Sequence, residues 1–204
     1  MSVFVAEELS EVLNTKVVIG RINMGLLNRI IIDDVLLDDQ SGQEMLKVTR
    51  LSAKFDIMPF FKGKISISSV QLFGFNINLR KETPDSPPNF KFVLDAFASK
   101  DTVKKENSLD LRINSILIRR GRMSYHVLSE EETPGKFNAK HIQLQNIIAN
   151  ISLKALSKDS LNLGIKRLSL DEKASGFSLK KMSLKLVANN KQTNIDNFTI
   201  ELTE

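Results

Sequence analysis

One short apolar pattern, repeated along most of the chain, constrains this sequence more than any other feature. The pattern places apolar side chains at the first, third, sixth and eighth positions of a unit, as in Val17, Ile19, Ile22 and Met24. Each half of the unit alternates with the period of a β-strand. The copies occupy residues 17–24, 30–37, 46–53, 65–72, 111–118, 142–149, 163–170, 177–184 and, more weakly, 193–200. The repeat therefore predicts a chain built from many strands.

A polar pair lies at the centre of nearly every copy, for example Asp33–Asp34, Ser68–Ser69 and Gln145–Asn146. Strict alternation would send the two apolar halves to opposite faces of a sheet. One extra residue in a β-bulge keeps all the apolar side chains on one face. A two-residue hairpin turn would do the same. We favour bulges, because most pairs lack the Asn-Gly or Asp-Gly sequence of tight hairpins and three-residue arms would make very short strands.

Simple alternating runs follow some copies, as in Phe73, Phe75, Ile77 and Leu79. Many strands with short connections are typical of an antiparallel meander, and bulges bend and twist each strand. We therefore predict a mainly β fold whose antiparallel sheet is strongly curved, as a gutter, a half-barrel or a β-taco.

Two short segments have helical rather than strand spacing. Residues 3–14 place Val5, Leu9 and Val12 on one face, which predicts a first helix. The segment Ser-Pro-Pro-Asn at 86–89 is a helix start signal, and residues 89–99 are predicted to form a second helix. We expect this helix to plug one end or edge of the sheet. Residues 130–136 are predicted to form an exposed loop.

The same repeat occurs on both sides of the charged segment 100–107, which favours one continuous domain over residues 1–204. If the chain divides, that segment is the flexible connection between residues 1–100 and 108–204.

No residue set for catalysis is apparent, so we expect no enzyme activity and no cofactor. The chain has no cysteine, which excludes thiolate nucleophiles, zinc–thiolate sites and iron–sulfur clusters. Neither a serine-nucleophile elbow nor a glycine-rich phosphate loop is present. The two histidines, His126 and His141, lack helical metal-ligand spacing, so we assign them a structural or surface role and expect no metal.

Four aspartates, Asp33, Asp34, Asp38 and Asp39, form an acidic group without the spacing of a calcium loop. We interpret them as solvated turn residues. The net charge of +5 favours anionic partners in general. Because the chain has no tryptophan and a single tyrosine, it lacks a stacking platform, and we expect no nucleic-acid partner.

A series of motifs runs in order through the first part of the chain. It comprises the apolar helix at 9–13, the segment 14–22, the strand and turn at 30–42, the segment 59–65, and Val70, Leu72, Gly74, Ile77 and Leu79. Together these motifs resemble the N-terminal region of AsmA-like and TamB-like envelope proteins of Gram-negative bacteria. The rest of the chain resembles TamB-like proteins more loosely, through its strand pattern.

This resemblance implies a periplasmic segment of a protein that is anchored in the inner membrane. No apolar run of about 20 residues is present, so we expect the anchor helix to be missing and the chain to be an excised fragment. The implied function is an apolar-groove scaffold for phospholipid transport between the inner and outer membranes, with acyl chains as partners. The candidate groove-lining residues are Val70, Leu72, Ile113, Ile116, Leu144 and Leu168.

Two alternatives remain open. In the first, the chain is a scaffold or chaperone for outer-membrane protein assembly that uses an exposed sheet edge. In the second, it is a β-sandwich module that binds glycan or protein. Exposed edges would also allow a crystallised fragment to dimerise.

Overall fold

The computed structural model describes residues 2–26, 28–55, 67–98, 115–156 and 160–203. The elements are α1 (Ser2–Leu13), β1 (Val17–Gly25), β2 (Arg29–Asp38), β3 (Glu44–Phe55), β4 (Ile67–Lys81), α2 (Lys91–Ala98), β5 (Ser115–Val127), β6 (His141–Leu156), β7 (Ser160–Glu172), β8 (Ser178–Asn189) and β9 (Thr193–Leu202). The predicted mainly β class and both helices are confirmed. The first helix agrees with the prediction to within one residue at each end, whereas the second begins two residues later than expected.

All nine strands form one open sheet, in which each strand lies beside its neighbours in the sequence. The two-sheet arrangement that a β-sandwich requires is therefore not present in the described part of the chain. Seven of the eight strand pairs are antiparallel, as predicted.

The pair β4–β5 is parallel, and the prediction of a wholly antiparallel sheet was wrong at this one position. Leu72 pairs with Ile118, and Leu79 pairs with Tyr125. A parallel pair needs a long crossover between the strands rather than a tight turn. Residues 82–114 provide that crossover, and they include α2. The candidate flexible connection at 100–107 falls within the same crossover but lies outside the described residues.

Hairpin turns at the described polar pairs are excluded. Register shifts show the predicted bulges at the pairs of β4 and of β6 to β9, whereas the register is unshifted across the pairs of β1, β2 and β3. Each fully described pair lies inside a single continuous strand. Asp34, Asn146 and Asn197 are the second residues of their pairs, and each has a positive φ, between 54° and 56°. Asp and Asn tolerate the left-handed conformation better than most residues, which explains their occurrence where the backbone kinks.

A further kink at Gly74 changes which phenylalanines share a face. Gly74 has a φ of 64°, and a Cβ atom there would lie 2.7 Å from the Thr49 hydroxyl oxygen, so only glycine fits. Phe75 is buried in the apolar core, whereas Phe73 is exposed on the other face below the Arg120 guanidinium, 5.1 Å from its ring centre. The predicted simple alternation from Phe73 to Phe75 was therefore wrong.

The apolar core has two parts. In the first, Ala6 of α1 packs with buried residues of β1 to β3, and Phe92 and Val93 of α2 pack against this cluster. The second helix thus covers one end of the sheet, as predicted. In the second part, Val48, Phe75 and Ile147 pack together across the middle of the sheet. Most of these core residues belong to the repeat, so the repeat defines the apolar face.

Candidate functional site

The described candidate groove residues lie on four consecutive strands. Val70 and Leu72 belong to β4, and one residue each comes from β5, β6 and β7, namely Ile116, Leu144 and Leu168. All five are half-buried. The sixth candidate, Ile113, lies outside the described residues.

These side chains share one face of the sheet. Leu72 and Leu144 both pack against the cluster of Val48, Phe75 and Ile147. Val70 lies two residues before Leu72, and in the parallel pair it is directly beside Ile116. Leu168 pairs with buried Ala149 of the same repeat pattern. We call this surface, defined by Val70, Leu72, Ile116, Leu144 and Leu168, the apolar face.

No second layer covers the apolar face within the described part of the chain. The two helices pack over β1 to β3, and among the described elements the backbone of each of the strands β4 to β8 lies close only to its neighbouring strands. A sheet normally buries its apolar side against another layer. Here the side chains of the apolar face are half-buried, and no described helix packs against them.

The opposite face carries charged side chains beside a few exposed apolar ones, and it contains a buried carboxylate. The Arg50 Nε atom donates to Asp33 Oδ1 over 2.6 Å, and Arg21 approaches the same carboxylate at 3.9 Å. Asp33 is only 5% exposed, so its interpretation as a solvated turn residue was wrong. The hydrogen bond from Arg50 lowers the pKa of Asp33, against the opposing effect of burial. The sheet is therefore amphipathic, apolar on one side and charged on the other.

A second buried carboxylate, Asp39, joins three segments at one end of the sheet. It is 2% exposed, and it accepts hydrogen bonds from the Ser41 hydroxyl at 2.7 Å and from Asn89 Nδ2 at 3.1 Å. Arg80 at the end of β4 forms an ion pair with it at 2.6 Å. Burial raises the pKa of Asp39, but the hydrogen bonds from Ser41, Asn89 and Gln43 outweigh that effect and hold it below its usual value. Asp39, too, was wrongly interpreted as solvated.

A cleft of about 660 Å³ lies between the Asp39 turn and α2. Among its charged side chains, Asp39 pairs with Arg80, and Lys91 pairs with Asp95 at 2.6 Å. Both oxygens of Asp39 accept from protein donors. The Asp39 carboxylate therefore has a structural role, since protein donors occupy both of its oxygens.

Glu172 makes a third buried carboxylate site, at the turn between β7 and β8. It is 2% exposed and accepts from the Ser175 backbone N–H at 2.7 Å and from the Gln143 N–H of β6 at 3.2 Å. Burial raises the pKa of Glu172, and the hydrogen bonds from Ser175, Gln143 and Ala174 bring it below its ordinary value. Like Asp39, this residue fastens a turn to the neighbouring strand.

The two histidines lie opposite one another on adjacent strands, β5 and β6. Their Nδ1 atoms are 3.0 Å apart. The two histidines are 15 residues apart in the sequence and neither belongs to a helical motif, so the local pattern does not predict that they meet. Only the pairing of β5 with β6 brings them together.

None of the helices in the described ranges is long and apolar enough to cross a membrane. The sequence matches no protein-family model, and a comparison with curated proteins gives no significant match.

Proposed function

We propose that this chain is a section of a lipid-binding β-scaffold, in which the apolar face contacts phospholipid acyl chains. In keeping with the resemblance to AsmA-like and TamB-like proteins, we place it in the periplasm as part of an inner-membrane-anchored protein that moves phospholipid to the outer membrane. The observation that carries the proposal is the row of half-buried repeat residues on β4 to β7, which no described helix covers.

The dimensions of the apolar face suit an extended hydrocarbon chain. Neighbouring strands lie about 4.8 Å apart, so the four strands β4 to β7 span about 15 Å. An acyl chain has no hydrogen-bonding groups to satisfy, and each methylene that it removes from water contributes about 0.8 kcal/mol. Such a surface needs complementary area rather than a reactive residue, which agrees with the expectation that the chain is not an enzyme.

Photo-crosslinking tests this proposal directly. A benzophenone amino acid replaces Leu72 or Leu144 on the apolar face, and Gln71 or Gln143 serves as the matched control on the opposite face one residue away. The purified chain is irradiated with vesicles of phosphatidylethanolamine and phosphatidylglycerol, and adducts are identified by mass spectrometry. We expect phospholipid adducts at Leu72 and Leu144 only. Equal labelling of the controls, or no adduct at any position, would contradict the proposal.

A second candidate function rests on the outermost strand. Every described residue of β9 is exposed, including Ile195, Phe198 and Ile200, and among the described strands β9 pairs with β8 alone. A free edge presents unpaired N–H and C=O groups to which another strand can add. This observation favours a scaffold for assembling outer-membrane proteins.

The two candidates use different surfaces, so one experiment separates them. The crosslinker is placed at Ile200 on the edge strand or at Leu72 on the apolar face, and an unfolded outer-membrane β-barrel protein is added. Adducts at Ile200 without adducts at Leu72 would support strand addition. Lipid adducts at Leu72, with no protein captured at Ile200, would support the lipid scaffold.

A further inference from the structure

Three potential metal ligands meet at the end of the β5–β6 pair. His126 and His141 are direct partners across the two strands, and their Nδ1 atoms are 3.0 Å apart. The loop between these strands folds back, so that Glu132 Oε1 lies 3.8 Å from His126 Nδ1. One ligand atom from each of the three residues lies within 4.8 Å of the other two.

The hydrogen bond that His141 makes through Nε2 leaves the lone pair of its Nδ1 atom available to a metal ion. His141 is 7% exposed, and its Nε2 atom lies 2.9 Å from the backbone carbonyl oxygen of Glu130. A carbonyl oxygen only accepts hydrogen bonds, so this nitrogen carries the proton. In the neutral ring, Nδ1 therefore presents its lone pair toward His126. Metal-binding histidines are commonly held in this way, with the outer N–H donated to a backbone carbonyl.

From this geometry we propose that His126, His141 and Glu132 form a binding site for a divalent transition metal of the zinc type. Imidazole nitrogen and carboxylate oxygen are ligands that zinc accepts, and three protein ligands with one open position are a common set. Ligands about 2.0–2.1 Å from a tetrahedral ion lie about 3.4 Å from one another. The observed His126–His141 and His126–Glu132 separations of 3.0 Å and 3.8 Å lie on either side of that value, and the third separation is within 4.8 Å, so side-chain adjustments within the loop suffice to bring the three ligands around one ion.

The surroundings agree with this assignment. The side chain of Glu132 is 63% exposed, so an ion has a path of entry from solvent. The nearby positive charge of Lys140 is paired with Glu130 at 2.6 Å, which reduces its repulsion of a cation. A bound ion would fasten the loop between β5 and β6 to the sheet, a role that is independent of lipid binding.

Metal titration tests the proposal with the chain as it exists, free of any histidine tag. Isothermal titration with zinc chloride is expected to show one saturable site per chain. Because the chain has only two histidines and no cysteine, His126→Gln and His141→Gln should each lower the affinity at least 10-fold, on the order of the loss seen when a supporting residue of a metal site is removed. Glu132→Gln should also weaken binding, whereas Glu131→Gln, which removes the same charge from the next residue of the loop, should not.

A measurement on the unsubstituted chain guards against variants that fail to fold. Zinc added to chain labelled with ¹⁵N-histidine should shift the Nδ1 resonances of both rings and leave both Nε2 atoms protonated. The absence of saturable binding, binding that survives both histidine substitutions, or equal effects of Glu132→Gln and Glu131→Gln would overturn the three-ligand site. In that event the histidines form only a hydrogen-bonded pair.

Discussion

The aromatic ring of Phe75 on β4 lies over Gly121 on β5 and reaches Ile147 on β6. A Cβ atom at Gly121 would overlap this ring and come within 3.0 Å of the Ile147 Cβ atom. The absence of a side chain at Gly121 thus lets the second core cluster extend across the parallel strand pair.

Gly121→Ala should therefore destabilise the fold. Because the ring cannot move without disturbing Val48 and Ile147, we expect a loss of about 1–3 kcal/mol, the usual effect of overpacking a core. Urea denaturation measured by circular dichroism gives the value. Gly25→Ala is the matched control, since its nearest neighbour would be the flexible Cδ1 atom of Ile31 at 3.0 Å. An equal loss in both variants would contradict the role assigned to the Phe75 ring.

Asp39→Asn should weaken the junction between the β2–β3 turn, β4 and the segment before α2. The amide loses the ion pair with Arg80 and brings a donor toward the Ser41 and Asn89 donors. Hydrogen bonds to a charged group contribute about 1.5–3 kcal/mol, and we expect a loss of this size in the free energy of unfolding. Asp38→Asn removes the same charge from the half-exposed neighbouring residue and should have less than half the effect in the same denaturation assay.

Stability should fall in acid because the three buried carboxylates have lowered pKa values in the folded chain. For Asp33 the hydrogen bond from Arg50 lowers the pKa, for Asp39 and Glu172 several hydrogen bonds do so, and in all three the effect of burial is of opposite sign and is outweighed. A lowered folded pKa stabilises the fold above the unfolded value, about 3.9 for Asp and 4.3 for Glu, and this stabilisation is lost as the pH falls below it. Urea midpoints should thus decline from about pH 5 to pH 3. Asp39→Asn should decline less steeply, and parallel curves for the two proteins would count against this explanation.

Substitutions at Asn197 test whether the left-handed backbone at the polar pairs depends on the residue type. The φ of 54° at Asn197 is costly for a β-branched residue, so Asn197→Val should destabilise β9 by about 1–2 kcal/mol, whereas Asn197→Gly should be tolerated. Hydrogen exchange of the β8–β9 amides reports this local stability. Asn194→Val, in a regularly paired part of the same strand, should be neutral or stabilising. Equal protection after Asn197→Val and Asn194→Val would show that the bulge does not depend on the residue type.

Some features could be predicted from the sequence because they depend on neighbouring residues. The apolar repeat specifies strands, and its central pairs at Asp34, Asn146 and Asn197 specify left-handed kinks, since alternation and left-handed preference act over two or three residues. The helix from Ser2 to Leu13 follows from its own periodicity. The single apolar face follows from the same local pattern.

The features that were missed depend on residues that are distant in the sequence. Nothing near Asp33 shows that Arg50 on the next strand will pair with it, and nothing near Asp39 indicates Arg80 or Asn89. Short polar side chains at turns are usually solvated, so the local pattern favoured the wrong interpretation. A signal did exist for Gly74, because an isolated glycine within a strand pattern often marks a bulge.

The element types, the kinks at the polar pairs and the apolar face follow from the order of residues along the chain, because each rests on local backbone preference and side-chain alternation. The parallel pairing of β4 with β5, the burial of Asp33, Asp39 and Glu172, and the contact between His126 and His141 follow only from the folded arrangement. These outcomes depend on strand pairing and register between distant segments, where the gain from many small contacts across the sheet selects one arrangement.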